Sequence, residues 1–172
     1  IDSVASFGSA ITQARTVTVD TPITVGELRF ANASRYTIDG TQTLTLNASG
    51  TNLSRITDTS GSHTVTAPIV LAKDLGAHVQ SASSVLTLTN LRPSPTLKIT
   101  KTGLGTLSVN HLEAAALFGE GGPVAFASTN GGNLPANRIG TMSFAGGIGA
   151  PAVVDLDDQD LIVTTTPRAT IE

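Results

Sequence analysis

The chain has 172 residues with a formal net charge of −3; hydrophobic residues make up 40% of it and aromatic residues only 3%. This length suits one domain. The slightly negative net charge gives no sign of the basic surface with which proteins bind nucleic acid. The absence of cysteine excludes a disulfide framework, cysteine zinc sites and thiol chemistry. No apolar run approaches the roughly 20 residues that cross a bilayer, so we expect no membrane insertion.

The first fifteen residues carry little regular patterning. Phe7 and Ile11 are placed there to close one end of a core. We therefore predict that residues 1–15 form an N-terminal cap.

From Thr16 onward, apolar and polar residues alternate in short runs, which is the pattern of half-buried strands. Stretches rich in Gly, Pro, Asn, Asp and Ser separate the runs and predict turns rather than crossover helices. The alternating apolar positions include Val17/Val19, Ile23/Val25, Leu28/Phe30, Tyr36/Ile38, Leu44/Leu46, Ile69/Leu71, Leu86/Leu88, Leu97/Ile99, Leu107/Val109, Val124/Phe126, Met142/Phe144, Val154/Leu156 and Leu161/Val163.

Residues 97–110 show the basic unit most clearly. Two alternating runs, around Ile99 and around Val109, flank a Thr-Gly-Leu-Gly-Thr corner, where glycine supplies backbone angles that other residues reach only at a cost. The unit is a strand, a corner and a second strand. Residues 111–118 are ambiguous, because Glu-Ala-Ala-Ala favours a helix while Leu112, Ala114 and Ala116 also alternate.

Similar positions recur about every twenty residues, which is the spacing of a solenoid. The aligned positions are Tyr36, Ile56, a point near Ala77, Leu97 and Leu117. We predict an all-β, right-handed, single-stranded parallel β-helix with coils of about 20 residues, forming one domain over residues 1–172. A β-sandwich is the alternative, since short strands with frequent turns suit it too. Residues 164–172 are expected to be a tail leading into a further domain.

The coil should bury columns of Ile, Leu and Val and present rows of hydroxyls outside. Threonines at alternate positions suit a pleated surface and can hydrogen-bond to a like neighbour one coil away. These pairs are Thr16/Thr18, Thr43/Thr45, Thr64/Thr66 and Thr87/Thr89. Low charge together with abundant Thr, Ser, Gly and Asn is typical of an exported protein, so we expect an extracellular or cell-surface location.

Residues 97–107, Leu-Lys-Ile-Thr-Lys-Thr-Gly-Leu-Gly-Thr-Leu, resemble the autotransporter-associated β-strand repeat, and residues 15–46 resemble the coils that precede it in such proteins. Residues 154–163 are similar to the closing coil of related modules in large exported bacterial proteins. The resemblance implies a right-handed parallel β-helix within a long surface or secreted protein, with adhesion, display or spacing as its role. It implies no catalytic residues.

These observations lead to a functional hypothesis with two alternatives. The first reading is a non-catalytic, adhesin-like extracellular module that binds polysaccharide or cell-surface glycan and is joined to flanking domains of the same polypeptide. The second is a structural stalk that displays a neighbouring domain. A polysaccharide lyase or hydrolase is less favoured, because its main support is analogy of fold.

The best metal candidate is the acidic run near the end of the chain, since clustered carboxylates can hold Ca²⁺. Its residues are Asp155, Asp157, Asp158 and Asp160. Their spacing is not that of an EF-hand loop and no glycine supplies its sharp turn, so a solvated turn is the favoured interpretation and no cofactor is expected. The histidines, His63, His78 and His111, are too scattered to share one ion, and we expect them on the surface or in loops.

The candidate ligand-binding residues are Arg29, Asn32, Arg35 and Tyr36. Carbohydrate sites commonly combine an aromatic face with polar groups, and Phe30 and Tyr36 are the one pair of aromatics placed to provide it. Alternation, however, puts Phe30 inward with Leu28, and Tyr36 on the same face as Ile38. A flat sheet face lined with Thr, Asn, Asp and Arg is a second way to bind an extended polysaccharide.

Overall fold

The computed structural model describes residues 2–127, 135–145 and 152–164. Within these ranges the chain forms eighteen strands and no helix, and therefore no helix with the length and hydropathy to cross a bilayer. The strands are β1 (Val4–Phe7), β2 (Arg15–Thr18), β3 (Ile23–Val25), β4 (Glu27–Phe30), β5 (Tyr36–Asp39), β6 (Leu44–Leu46), β7 (Ser54–Asp58), β8 (His63–Val65), β9 (Ile69–Leu71), β10 (Leu75–Val79), β11 (Val85–Leu88), β12 (Ser94–Thr102), β13 (Thr106–Val109), β14 (Glu113–Gly119), β15 (Pro123–Phe126), β16 (Asn137–Phe144), β17 (Val153–Asp155) and β18 (Leu161–Val163).

The strands form parallel sheets that run along the axis of a β-solenoid of about 6 turns, with about 23 residues per turn. An eight-stranded sheet has the order β1-β4-β7-β10-β12-β14-β16-β18, and a seven-stranded sheet has the order β17-β15-β13-β11-β8-β5-β2. Each strand therefore pairs with the strand one turn away rather than with its neighbour in sequence. The solenoid is confirmed over the β-sandwich alternative.

The cross-section changes along the axis. A third sheet, β3-β6-β9, is present only in the first three turns, and one isolated bridge between Ile69 and Leu91 extends it. Beyond that point each described turn contributes one strand to each of the two long sheets. In the described residues, each of the first three turns thus contributes three strands, and the turns that follow contribute two.

The interior consists of columns of apolar side chains, because residues in register on successive turns face the same side of a sheet. One buried column of the seven-stranded sheet runs through Ile38, Val65, Leu88, Val109 and Phe126, and Val17, in register with Ile38 at the end of the sheet, is exposed. The outward positions between such columns carry the expected hydroxyl row, which comprises Thr16, Thr37, Thr64 and Thr87, while Ser108, the next residue in register, is buried. The predicted arrangement of aliphatic columns inside and hydroxyl rows outside is confirmed in this sheet.

The repeat length and register differ from the prediction. In the eight-stranded sheet, paired positions are separated by 28 residues between Leu28 and Ile56 but by 18 between Ile99 and Leu117, because the corners hold loops of different length. Ile56 and Ala77 are paired as predicted, whereas Leu117 pairs with Ile99 rather than with Leu97. Tyr36 belongs to the seven-stranded sheet, so its alignment with Ile56 was wrong.

Three further expectations concern local structure. The ambiguous segment after His111 is strand β14, in which Ala114 is in register with the buried Ile139 and Leu117 with the buried Ile99, whereas Ala116 is in register with the exposed Lys98. Residues 4–7 form the first strand of the eight-stranded sheet, and Phe7 and Ile11 pack against the core. Residue 164 is the last described position, so the predicted tail lies outside the described residues beyond that point.

Candidate functional site

The outer face of the eight-stranded sheet carries a groove that crosses several turns. Its floor is made of outward residues of β7, β10 and β12, and its volume is about 380 Å³. We call this the outer groove; it is lined by Leu53, Arg55, Thr57, Gly76, His78, Thr100, Thr102 and Glu120. A second depression of about 240 Å³ adjoins it and shares Leu53 and Arg55. The two together follow the axis of the solenoid.

The outer groove passes over a position where the sheet lacks a side chain. Gly76 lies in register between Arg55 on β7 and Thr100 on β12, so a gap opens in an otherwise continuous outward column. A Cβ built at Gly76 would meet nothing closer than 3.9 Å, which means that neither packing nor backbone conformation requires glycine at this position. Its effect on the structure is to leave the surface open.

The polar groups at one edge of the groove are bonded to one another. Glu27 Oε1 accepts hydrogen bonds from Arg29 Nε at 3.2 Å and Thr57 Oγ1 at 3.0 Å, and Glu27 Oε2 accepts one from Arg29 Nη2 at 3.1 Å. Arg55 is in register with Glu27, yet none of the ion pairs among the described residues includes it. Its guanidinium therefore makes no direct ion pair within the described part of the chain.

His78 stands beside the depression at Gly76. Its Nδ1 lies 2.9 Å from Thr102 Oγ1, which orients the ring and leaves Nε2 for a ligand. The groove thus combines a guanidinium, an imidazole and three threonine hydroxyls, all of which can hydrogen-bond to hydroxyl or carboxylate oxygens.

The four predicted ligand residues do not form one surface. Arg29 is exposed on the outer face beside the groove but is engaged by Glu27. Asn32 serves the backbone, because its Nδ2 donates to the carbonyls of Gly8 and Ile11. Arg35 is exposed in the turn before β5. Tyr36 is only 5% exposed and packs against Phe7, so it offers no stacking face, as the alternation indicated.

The four aspartates do not converge either. The backbone N–H of Asp157 donates to Asp155 Oδ1 at 3.2 Å, and the Asp160 carbonyl accepts hydrogen bonds from Asn137. Asp158 Oδ1 accepts from Gln159 Nε2 at 3.0 Å. No group of three or more His, Cys, Asp or Glu side chains that could hold a metal ion occurs in the described part of the chain. These contacts are those of a hydrogen-bonded turn.

The expectation that all three histidines are superficial was wrong for His63, which is fully buried. Its ring stacks on Phe30 with centroids 4.7 Å apart. Nδ1 accepts a hydrogen bond from the Tyr36 backbone N–H at 3.0 Å, and Nε2 lies 2.9 Å from the Ser60 carbonyl; these two partners assign the proton to Nε2. The signal was available in the sequence, because His63 alternates with the inward Val65.

Asp58 lies next to this histidine. It is also fully buried, its Oδ1 is 3.9 Å from His63 Nε2, and neither of its carboxylate oxygens has a hydrogen-bond partner among the described residues. Burial raises the pKa of the Asp58 carboxyl, and the nearby His63 and the Ser60 backbone N–H oppose that rise. Because both side chains are closed off from solvent, this His–Asp pair cannot reach a substrate.

Lys101 is a second buried charge that the sequence analysis did not single out. Its Nζ donates to the carbonyls of Thr102 at 2.9 Å, Gly103 at 3.0 Å and Gly121 at 2.9 Å. Burial lowers the pKa of the Lys101 ammonium to about 8. Gly103 has φ +80°, and a Cβ there would collide with the Val79 carbonyl. The Lys-Thr-Gly-x-Gly-Thr motif is therefore a structural corner, in which a lysine ties together two successive turns.

Comparison with known proteins adds no relative: no protein-family model matches the chain, and no significant match was found among curated proteins or among solved structures. The resemblance of residues 97–107 to the autotransporter-associated repeat therefore stays a prediction.

Proposed function

We propose that the protein is a non-catalytic extracellular module that binds an extended polysaccharide or cell-surface glycan along the outer groove. The observation that carries this proposal is the groove itself, open to solvent and aligned with the solenoid axis across β7, β10 and β12. Its polar lining suits a ligand rich in hydroxyl groups, because threonine hydroxyls both donate and accept hydrogen bonds.

The spacing of the solenoid supports a polymeric ligand. Successive parallel strands lie about 4.8 Å apart, which is close to the length of one pyranose unit in an extended sugar chain. Equivalent outward positions on consecutive turns, such as Thr57, His78 and Thr102, therefore recur at about the interval at which sugar units recur. A groove of this kind holds several units in succession without aromatic stacking.

Gly76 allows a direct test of the site. In affinity electrophoresis against a panel of soluble polysaccharides, we expect retention of the wild-type chain by at least one polymer. Gly76→Ile should reduce that affinity about tenfold or more, equivalent to at least about 1.4 kcal/mol, because the side chain fills the depression without straining the strand.

The matched control is Thr16→Ile, which adds a similar side chain to the outer face of the seven-stranded sheet, where Thr16 is exposed on β2. Its retention should equal that of the wild type. Equal retention of Gly76→Ile and Thr16→Ile would place the ligand elsewhere. Failure of every polymer to retard the wild-type chain would contradict the binding proposal.

The second candidate function is a stalk that spaces a neighbouring domain. The observation in its favour is the uninterrupted pairing of eight parallel strands, which at about 4.8 Å per step gives a rod about 34 Å long. This function requires no groove and no ligand. Retention by any of the polysaccharides in the affinity electrophoresis would therefore favour the binding module over the stalk.

A further inference from the structure

We propose that the outer groove selects acidic polysaccharides, with a sugar carboxylate held by Arg55 and His78 at the gap that Gly76 leaves. This inference rests on the proposed binding function and adds the chemical class of the ligand. It depends on which charges in the groove are already satisfied and which are not.

The negative charge nearest to Arg55 is already engaged. Both oxygens of Glu27 bond to Arg29, and Oε1 also accepts a hydrogen bond from Thr57. Glu27 is in register with Arg55 but makes no ion pair with it in the described structure. Arg55 is consequently the one cationic side chain of the groove that is always charged and lacks a counter-ion among the described residues.

The positions of Arg55 and His78 fit a single anionic group. Arg55 is in register with Gly76 on the adjacent strand, and His78 lies two residues further along that strand on the same face. The two side chains are therefore diagonal neighbours across the gap that Gly76 leaves. A ligand group seated in the gap contacts both.

A carboxylate suits this arrangement better than a hydroxyl. A guanidinium forms two parallel hydrogen bonds to a planar carboxylate, and such charge-assisted bonds are roughly twice as strong as neutral ones. His78 contributes Nε2, while Thr57 and Thr100 provide hydroxyls for the rest of the sugar ring. Glu120 lies at the far edge of the groove, where it disfavours a second anionic unit in that position. We therefore expect the groove to bind one sugar carboxylate, at Arg55, rather than carboxylates on several consecutive sugar units.

The test compares polymers that differ only in charge. Binding of the full 172-residue chain is measured by affinity electrophoresis and calorimetry with polygalacturonate and with the same polymer fully methyl-esterified. Dextran sulfate and dextran form a second pair that separates sulfate from carboxylate. We expect polygalacturonate to bind about tenfold more tightly than its ester, and its affinity to fall with added salt.

Two variants test whether the Arg55 guanidinium, rather than the overall charge of the protein, binds the carboxylate. Arg55→Gln should lower the affinity for polygalacturonate about tenfold or more and lower the affinity for the methyl ester by a clearly smaller factor, because only the acid loses a charge-assisted pair. Arg35→Gln makes the same charge change in the exposed turn before β5 and should bind like the wild type. Both residues are exposed, and unchanged circular dichroism would verify that each variant is folded.

The contrary results are distinct from one another. Equal binding of the acid and the ester would overturn this inference and leave the binding function standing, whereas failure to bind any polymer would overturn both. A preference for dextran sulfate over polygalacturonate would refute the assignment of a carboxylate. Equal losses in Arg55→Gln and Arg35→Gln would show that overall charge, and not the groove, governs binding.

Discussion

Lys101 and Asp58 are both fully buried ionisable side chains of the eight-stranded sheet. They differ in how many hydrogen bonds their charged atoms make. The Lys101 ammonium has three carbonyl partners, contributed by two successive corners. The Asp58 carboxylate makes no well-formed hydrogen bond among the described residues, and the polar groups beside it are the His63 ring edge, 3.9 Å away, and the Ser60 backbone. A buried charge is tolerated when its hydrogen-bonding capacity is used and is costly when it is not.

The difference arises from position in the turn. Lys101 lies one residue before the end of β12, so its side chain reaches the corner where backbone carbonyls are not all used by strand pairing. Asp58 lies at the end of β7 in an inward column, between Phe30 and Val79, where the neighbours are apolar. In the same solenoid, the Lys101 ammonium thus links two successive turns, whereas the buried Asp58 carboxylate lowers the stability of the fold.

The largest expected effect is at the corner. Lys101→Met keeps the length and burial of the side chain but leaves three carbonyls without their donor, so the free energy of unfolding should fall by about 2–3 kcal/mol. Urea unfolding followed by circular dichroism measures it. Lys98→Met, at an exposed position of the same strand, is the matched control and should change stability by less than about 0.5 kcal/mol. If the two variants unfold alike, the corner is not stabilised by Lys101.

A smaller loss is expected at His63. His63→Phe keeps a ring against Phe30 but removes the acceptor of the Tyr36 backbone N–H and the partner of the Ser60 carbonyl. One buried donor left unsatisfied costs about 1–3 kcal/mol, so the unfolding midpoint in urea should fall accordingly. His78→Phe on the outer face leaves no backbone donor buried and should cost about 0.5 kcal/mol or less. A stability equal to that of the wild type in His63→Phe would mean that stacking alone holds this histidine.

The smallest effect, and the one that depends on pH, concerns Asp58. Its pKa is raised in the folded chain, so the folded state binds the proton more tightly than the unfolded state does. The stability that protonation provides is complete below the ordinary aspartate pKa and is lost as the pH rises through the raised value. Asp58→Asn removes this loss.

Unfolding measured from about pH 3 to about pH 8 checks this expectation. The stability of Asp58→Asn relative to the wild type should increase as the pH rises, because only the wild type acquires an unpartnered charge. Parallel stability curves for the two proteins would show that Asp58 is not desolvated in the folded chain.

Much of the fold was predictable, because alternation determines which side of a strand faces the core. The strand, corner and strand of residues 97–110 were predicted correctly as β12, a turn at Gly103 and β13. The threonine row on the seven-stranded sheet followed from the same rule. The repeat length was underestimated, because corner loops vary in length without changing the alternation of the strands they join.

The candidate site was less predictable than the fold. A flat sheet face lined by polar residues was anticipated, but the residues chosen for it were grouped by proximity in sequence around Tyr36. The outer groove instead joins Arg55, Gly76 and Thr100, which are far apart in the chain and meet because three turns stack in register. Without the register, nothing distinguishes Gly76 from a glycine in a turn.

The sequence by itself determined that the chain is all-β, that its strands are short and that aliphatic residues form the interior, because a period of two can be satisfied only by a half-buried pleated surface. It also determined where the corner at Gly103 lies. Only the tertiary structure decided which turns are neighbours, and with that the three-carbonyl site of Lys101, the buried contact between His63 and Asp58, and the groove around Gly76. Each of these depends on pairing between distant segments, and the length of the intervening loop, rather than the pattern within a strand, sets that pairing.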